Sequence, residues 1–100
     1  MSWISNLAEI LGILKRKPTY AVRLKIAETD TTHTGKSAEI DNTDGTERIF
    51  LTINSITVSI PAGTEKRFYF GSFTGYTTEL DDNWDSVNPD KEYEVRIYDN

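Results

Sequence analysis

One hundred residues carrying 16 Asp+Glu against 11 Lys+Arg, a formal net charge of -5, leave room for one compact domain and exclude two. The absence of cysteine and a single histidine, His33, exclude a disulfide framework, a thiolate zinc site, a Cys nucleophile and any multi-His metal centre. With 37% hydrophobic residues there is material for a core, and the acidic balance with scattered cations argues against a nucleic-acid surface.

Pro18 divides the chain into a segment of residues 1–17 and a domain of residues 18–100. In the first, Trp3, Leu7, Ile10 and Leu14 recur at spacings of four and three, and Ile4 and Leu11 widen the stripe, which predicts an amphipathic helix. Ser2 suits its N-cap, Lys15-Arg16-Lys17 suit its C-terminal carbonyls, and Pro18 disfavours helical geometry at Lys17. The cations follow the apolar run instead of preceding it, so the segment is not expected to be a signal peptide. From Trp3 to Leu14 it would span about 18 Å, too short to cross a bilayer, and a cytoplasmic location is the default expectation.

Beyond Pro18 the period drops to two. Tyr20, Val22, Leu24 and Ile26 alternate with Ala21, Arg23, Lys25 and Ala27, the pattern of a strand with one buried face. A polar stretch, Thr29 to Lys36, leads to a short strand around Ala38 and Ile40 and then to the turn-rich Asp41 to Gly45. The apolar parity flips between Ile49/Leu51/Ile53 and Ile56/Val58/Ile60. A two-residue hairpin at Asn54-Ser55 explains the flip, and a bulge in one longer strand is the alternative. After a Pro61 to Thr64 turn, Phe68 and Phe70 share a strand face with Tyr69 opposite. A weak strand runs from Tyr76 to Leu80, an acidic loop from Asp81 to Asp90, and a closing strand places Tyr93, Val95 and Ile97 inward. Six or seven short strands with turn chemistry between them predict a mainly β fold, an antiparallel sandwich.

The run Thr57-Val58-Ser59-Ile60-Pro61-Ala62-Gly63-Thr64-Glu65-Lys66-Arg67-Phe68-Tyr69-Phe70 and the closing Glu92 to Asn100 resemble the strand-turn-strand passage and last strand of immunoglobulin-like adhesion or surface-layer modules of the CARDB type. The resemblance implies an immunoglobulin-like sandwich.

Four features bear on function. His33, beside Asp30 and three threonines, lacks any nucleophile elbow or oxyanion-forming glycine run and reads as a loop histidine. Asp81, Asn83, Asp85 and Glu92 fall at positions 1, 3, 5 and 12 of a calcium-loop template, yet Ser86 replaces the turn glycine and Pro89 occupies position 9. No cofactor is therefore expected, with calcium the candidate metal. Tyr69, Tyr76, Trp84 and Tyr98 are candidate ligand-stacking aromatics, suited to sugar rings or to a protein contact. The helix residues Trp3, Ile4, Leu7, Ile10, Leu11 and Leu14 are the candidate interaction surface, for a homo-oligomer, a larger assembly or, less favoured, an anionic membrane surface. The expected function is a structural or protein-interaction module, with a calcium-dependent or carbohydrate-binding module as the alternative.

Overall fold

The computed structural model describes residues 17–87 and 90–100. They form six antiparallel strands: β1 (Tyr20–Leu24), β2 (Thr29–Asp41), β3 (Ile49–Ile53), β4 (Ile56–Ile60), β5 (Glu65–Leu80) and β6 (Tyr93–Tyr98), with one short helix, α1 (Trp84–Val87). The strands make a single sheet in the order β1-β6-β2-β5-β3-β4. No helix among the described residues is long and apolar enough to cross a membrane.

The two long strands organise the sheet. The C-terminal half of β2 pairs with β6 and with the start of β5, whereas its N-terminal half pairs with the end of β5, which in turn pairs with β3. Register shifts fall between Asp30 and Thr34 and between Gly35 and Ser37, where two extra residues, on β2 in the first and on β5 in the second, increase local bend and twist. Ala38, Ile40, Val95 and Ile97 from one part of the sheet join Ile49, Leu51, Ile53, Ile60 and Phe73 from the other in one buried cluster.

Strand periodicity accounts for most of this burial. Tyr93, Val95 and Ile97 are buried at alternate positions of β6, and Tyr20, Val22 and Leu24 are half-buried along β1 at the sheet edge. The parity flip is a two-residue hairpin. Ile53 pairs with Ile56, Leu51 with Val58 and Ile49 with Ile60, and Asn54 (φ 51°) and Ser55 (φ 63°) take the left-handed conformations of a type I′ turn.

Elsewhere the structure differs from the sequence reading. The polar stretch Thr29 to Lys36 is the first half of β2, since its backbone is paired by β5 although few of its side chains are apolar. The two expected strands before and after Gly71 are one, β5, which passes through Gly71 (φ 77°) and Gly75 (φ 81°). Gly75 lies against the Asp30 carbonyl, an approach that any side chain would obstruct. The acidic loop contains α1, and its first residue, Trp84, is 1% exposed, stacked edge-to-face on Tyr93 at 6.1 Å. Asn42 is also fully buried. Its backbone N–H donates to Thr64 O, its carbonyl accepts from Gly63 N–H, and its side-chain Nδ2 donates to Glu47 O at 2.8 Å, tying two turns together beside Trp84.

Candidate functional site

The outer face of β6, β2 and β5 collects the charge. Alternation turns Glu94 and Arg96 away from the core, and the register sets Arg96 opposite Glu39 and Glu94 opposite Asp41. Arg96 contacts Glu39 Oε1 at 2.9 Å, Asp41 Oδ2 at 3.1 Å and Glu65 Oε1 at 2.6 Å, and its Nε donates to Glu94, which also accepts from Arg23 at 3.1 Å. Burial works against the charge of Arg96, but hydrogen bonds to Glu39, Glu94 and Glu65 prevail and hold its pKa above the ordinary value. Burial likewise would raise Asp41, yet hydrogen bonds from Thr43 and the charge of Arg96 keep its carboxyl below the usual range. Beside this group Arg67 lies over the Tyr98 ring at 3.7 Å and donates to Ser37 Oγ and to Asn100, while Tyr98 Oη donates to Glu39 at 2.9 Å. The arginines here are engaged by the protein itself, which makes the patch a cross-strand tie.

His33 occupies the bulged part of β2, where Asp30 organises a tight turn. The Asp30 carboxylate accepts from Thr32 N–H at 3.2 Å and His33 N–H at 2.9 Å, and it meets His33 Nδ1 at 2.8 Å. Burial would raise Asp30, but these bonds hold it below the usual carboxylate range. Tyr20 stacks on the imidazole at 3.6 Å and so joins β1 to β2 across a place where the two strands do not pair. Nearby, Tyr76 is buried with no hydrogen-bond partner for its hydroxyl, and burial raises its pKa. Tyr93 Oη donates to Ile26 O and meets Thr78 Oγ1, each at 2.7 Å, and burial pushes this phenol up to about 12.

Asp81, Asp85 and Glu92 of the calcium-loop set border two different clefts. Asp81 serves the turn: its carboxylate accepts from Asn83 N–H, its carbonyl from Trp84 N–H, and its own N–H donates to Arg48 O. Asp81 and Asp85 border a cleft of about 260 Å³ with Ile26 and Trp84, whereas Glu92 borders another with Arg23, Asp41 and Glu94. Among the described residues no group of three or more His, Asp or Glu is arranged to hold a metal ion.

Of the four aromatics singled out from sequence, Tyr69 is 71% exposed, in an open cleft of about 380 Å³ with Ser37, Arg67 and Asn100. Tyr76, Trp84 and Tyr98 are buried, so their rings are not open to a stacking ligand. Tyr76 belongs to β5, Trp84 fills the space beside Gly45, and Tyr98 is covered by Arg67. Two apolar residues that the sequence reading did not nominate stand in water, Ile26 at 68% and Ile56 at 51% exposure. Trp3, Ile4, Leu7, Ile10, Leu11 and Leu14 lie outside the described residues. Compared with known protein families, curated proteins and solved structures, the chain matches none.

Proposed function

We propose that this chain is a non-enzymatic protein-interaction module, an immunoglobulin-like β-sandwich whose N-terminal amphipathic stripe docks on another protein chain. A second copy of this chain is the partner we favour. The sandwich is supported by β2 and β5, which lend one end to each half of the sheet while both halves bury side chains in one cluster. The interaction role is carried by apolar surface left in water, since Ile26, Ile56 and Tyr69 are exposed while His33, Arg96 and Arg67 are engaged within the fold. In the stripe, Leu7, Ile10, Leu11 and Leu14 would each contribute about 1.5 to 3 kcal/mol if fully covered, so association is favourable wherever the fold does not cover them. The test is Leu7→Asp with Leu14→Asp in the full chain, read by sedimentation and thermal melting. We expect the particle's mass to fall while the strands from Tyr20 onward stay folded. An unchanged mass with a lowered melting temperature would place the stripe on the protein's own sheet and refute the reading. Unchanged mass and stability with lost binding to anionic vesicles would substitute a membrane surface.

A second reading, sugar binding, is favoured by Tyr69, whose open ring stands beside the polar Ser37, Arg67 and Asn100. A glycan screen that finds a ligand lost in Tyr69→Ala would establish it.

A further inference from the structure

We infer that the acid-rimmed apolar cleft beyond the end of β1 receives the basic end of the N-terminal segment, Ile10 to Lys17, from a second copy of this chain. The inference rests on the reading that this segment docks on protein.

The cleft asks for an occupant of mixed chemistry. Ile26, Ala27 and Leu80 line it together with Trp84, and Asp82 and Asp85 stand at its border. Ile26 is 68% exposed there, an apolar side chain in water two residues after β1 ends. Asp81, Asp82 and Asp85 give the cleft three carboxylates, and no Lys or Arg lines it among the described residues. The indole N–H of Trp84 is buried without a partner, a donor with no acceptor supplied by the fold. An occupant should therefore bring apolar side chains and cations.

Within this chain one stretch has that composition. Leu14 is followed by Lys15, Arg16 and Lys17, with Ile10 and Leu11 one turn earlier on the apolar stripe. The other prominent cations are engaged elsewhere: Arg96 and Arg23 by carboxylates, Arg67 by Tyr98 and Asn100, Arg48 by Ser59.

The tether rules out a chain's own basic cluster. Thr19 N–H donates to Ile97 O at 2.7 Å, which fixes that residue at the start of β1, while Leu24 pairs with Tyr93 at the other end. From Thr19 to Leu24 the extended backbone covers about 17 Å, and the cleft lies beyond Leu24. Lys15, the cation farthest from β1, is four residues from Thr19, at most about 14 Å of fully extended backbone and less than the length of β1. A chain folding back on itself could bring only residues earlier than this cluster to its own cleft, so charge matching requires a neighbour. Such a contact is head-to-tail, and repeated it closes a ring or extends a filament.

Two full-length variants test the pairing. Lys15→Gln with Arg16→Gln and Lys17→Gln disables the segment, and Asp82→Asn with Asp85→Asn disables the cleft; Asp81 is left intact because it forms the turn. Each variant alone should associate at least tenfold more weakly than the wild type. Mixed in equal amounts, they should form a one-to-one complex that grows no further, since one supplies the good cleft and the other the good segment. Ile26→Ser, at an exposed position, replaces the cleft pair should that pair melt below the wild type. If the wild type assembles and the cleft variants assemble equally well, this inference is wrong while self-association stands. Two weakened variants that fail to complement each other would also overturn it. A wild type that stays monomeric throughout removes both this inference and the choice of a second copy as the partner of the segment.

Discussion

Replacing Arg96 by glutamine would remove one charge from the centre of four carboxylates while keeping a polar, shorter side chain. The Arg96 side chain is 21% exposed, and Glu39, Asp41 and Glu94 are about as sheltered, whereas Glu65 is 41% exposed and its pair is largely screened. Three sheltered pairs remain. Charge-assisted hydrogen bonds contribute about 1.5 to 3 kcal/mol each, but those sharing one guanidinium do not add, so about 3 kcal/mol is expected for the group at pH 7. At roughly 4 to 8 °C per kcal/mol, the melting temperature should fall by roughly 12 to 24 °C. The pH dependence is the sharper readout. Asp41 is held below its ordinary value in the folded wild type, so its contribution is complete above the ordinary carboxylate range and lost as pH falls through the folded value. Without Arg96 the charge and the hydrogen bond that help to hold Asp41 down are gone, so the variant lacks that part of the pH dependence. Urea unfolding at pH 7 and at about pH 2, below the ordinary carboxylate range, should therefore show a gap between wild type and variant that is widest at neutrality and narrows in acid. A gap below about 1 kcal/mol at pH 7, or one equally wide at about pH 2, would refute the electrostatic account.

Two further outcomes are expected. Gly71 and Gly75 share a left-handed backbone, but a methyl at Gly71 meets nothing within 4 Å, whereas one at Gly75 would overlap the Asp30 carbonyl and stand 3.0 Å from Thr31 Cα. Gly71→Ala should cost about 1 to 2 kcal/mol in urea unfolding and Gly75→Ala at least about 2 kcal/mol more; equal losses would show that the close approach is immaterial. Tyr93→Phe should cost about 1 to 3 kcal/mol, because Ile26 O and Thr78 Oγ1 lose the buried phenol. Since the folded phenol is raised from 10.0 to about 12, its contribution is complete below pH 10 and lost as pH climbs through 12, a loss the phenylalanine variant should lack in alkaline melts.

How much of this was legible in the sequence depends on whether neighbours along the chain or across the sheet decide each residue's place. The hairpin at Asn54-Ser55 and the inward Tyr93, Val95 and Ile97 follow from local alternation, and both stand in the structure. Thr29 to Lys36 carries no apolar alternation, because its role is to pair backbone with β5, and the chain holds no local trace of that partner. Outward Tyr98 follows from parity, but parity is silent about Arg67, thirty-one positions away, which covers the ring. The Arg96 group was half-visible: alternate charges in Glu39/Asp41 and Glu92/Glu94/Arg96 mark outer strand faces, while the register that joins them is a property of the whole sheet. Ile26 continued the inward series of β1 on paper; the strand ends at Leu24, and Ile26 emerges into water.

The seating of β6 between β1 and β2 fixes an order in time. Thr19 bonds to Ile97, 78 positions later, and β1 has no other strand beside it among the described residues. On a ribosome adding about 5 to 20 residues per second, on the order of 4 to 16 s separates the emergence of β1 from that of its partner. For that interval Tyr20, Val22 and Leu24 have no sheet to join, although β3 and β4 can already zip together as a hairpin. A nascent chain stalled before Tyr93 should thus be recognised by chaperones through β1, and release of the last strand should end that engagement in a single step.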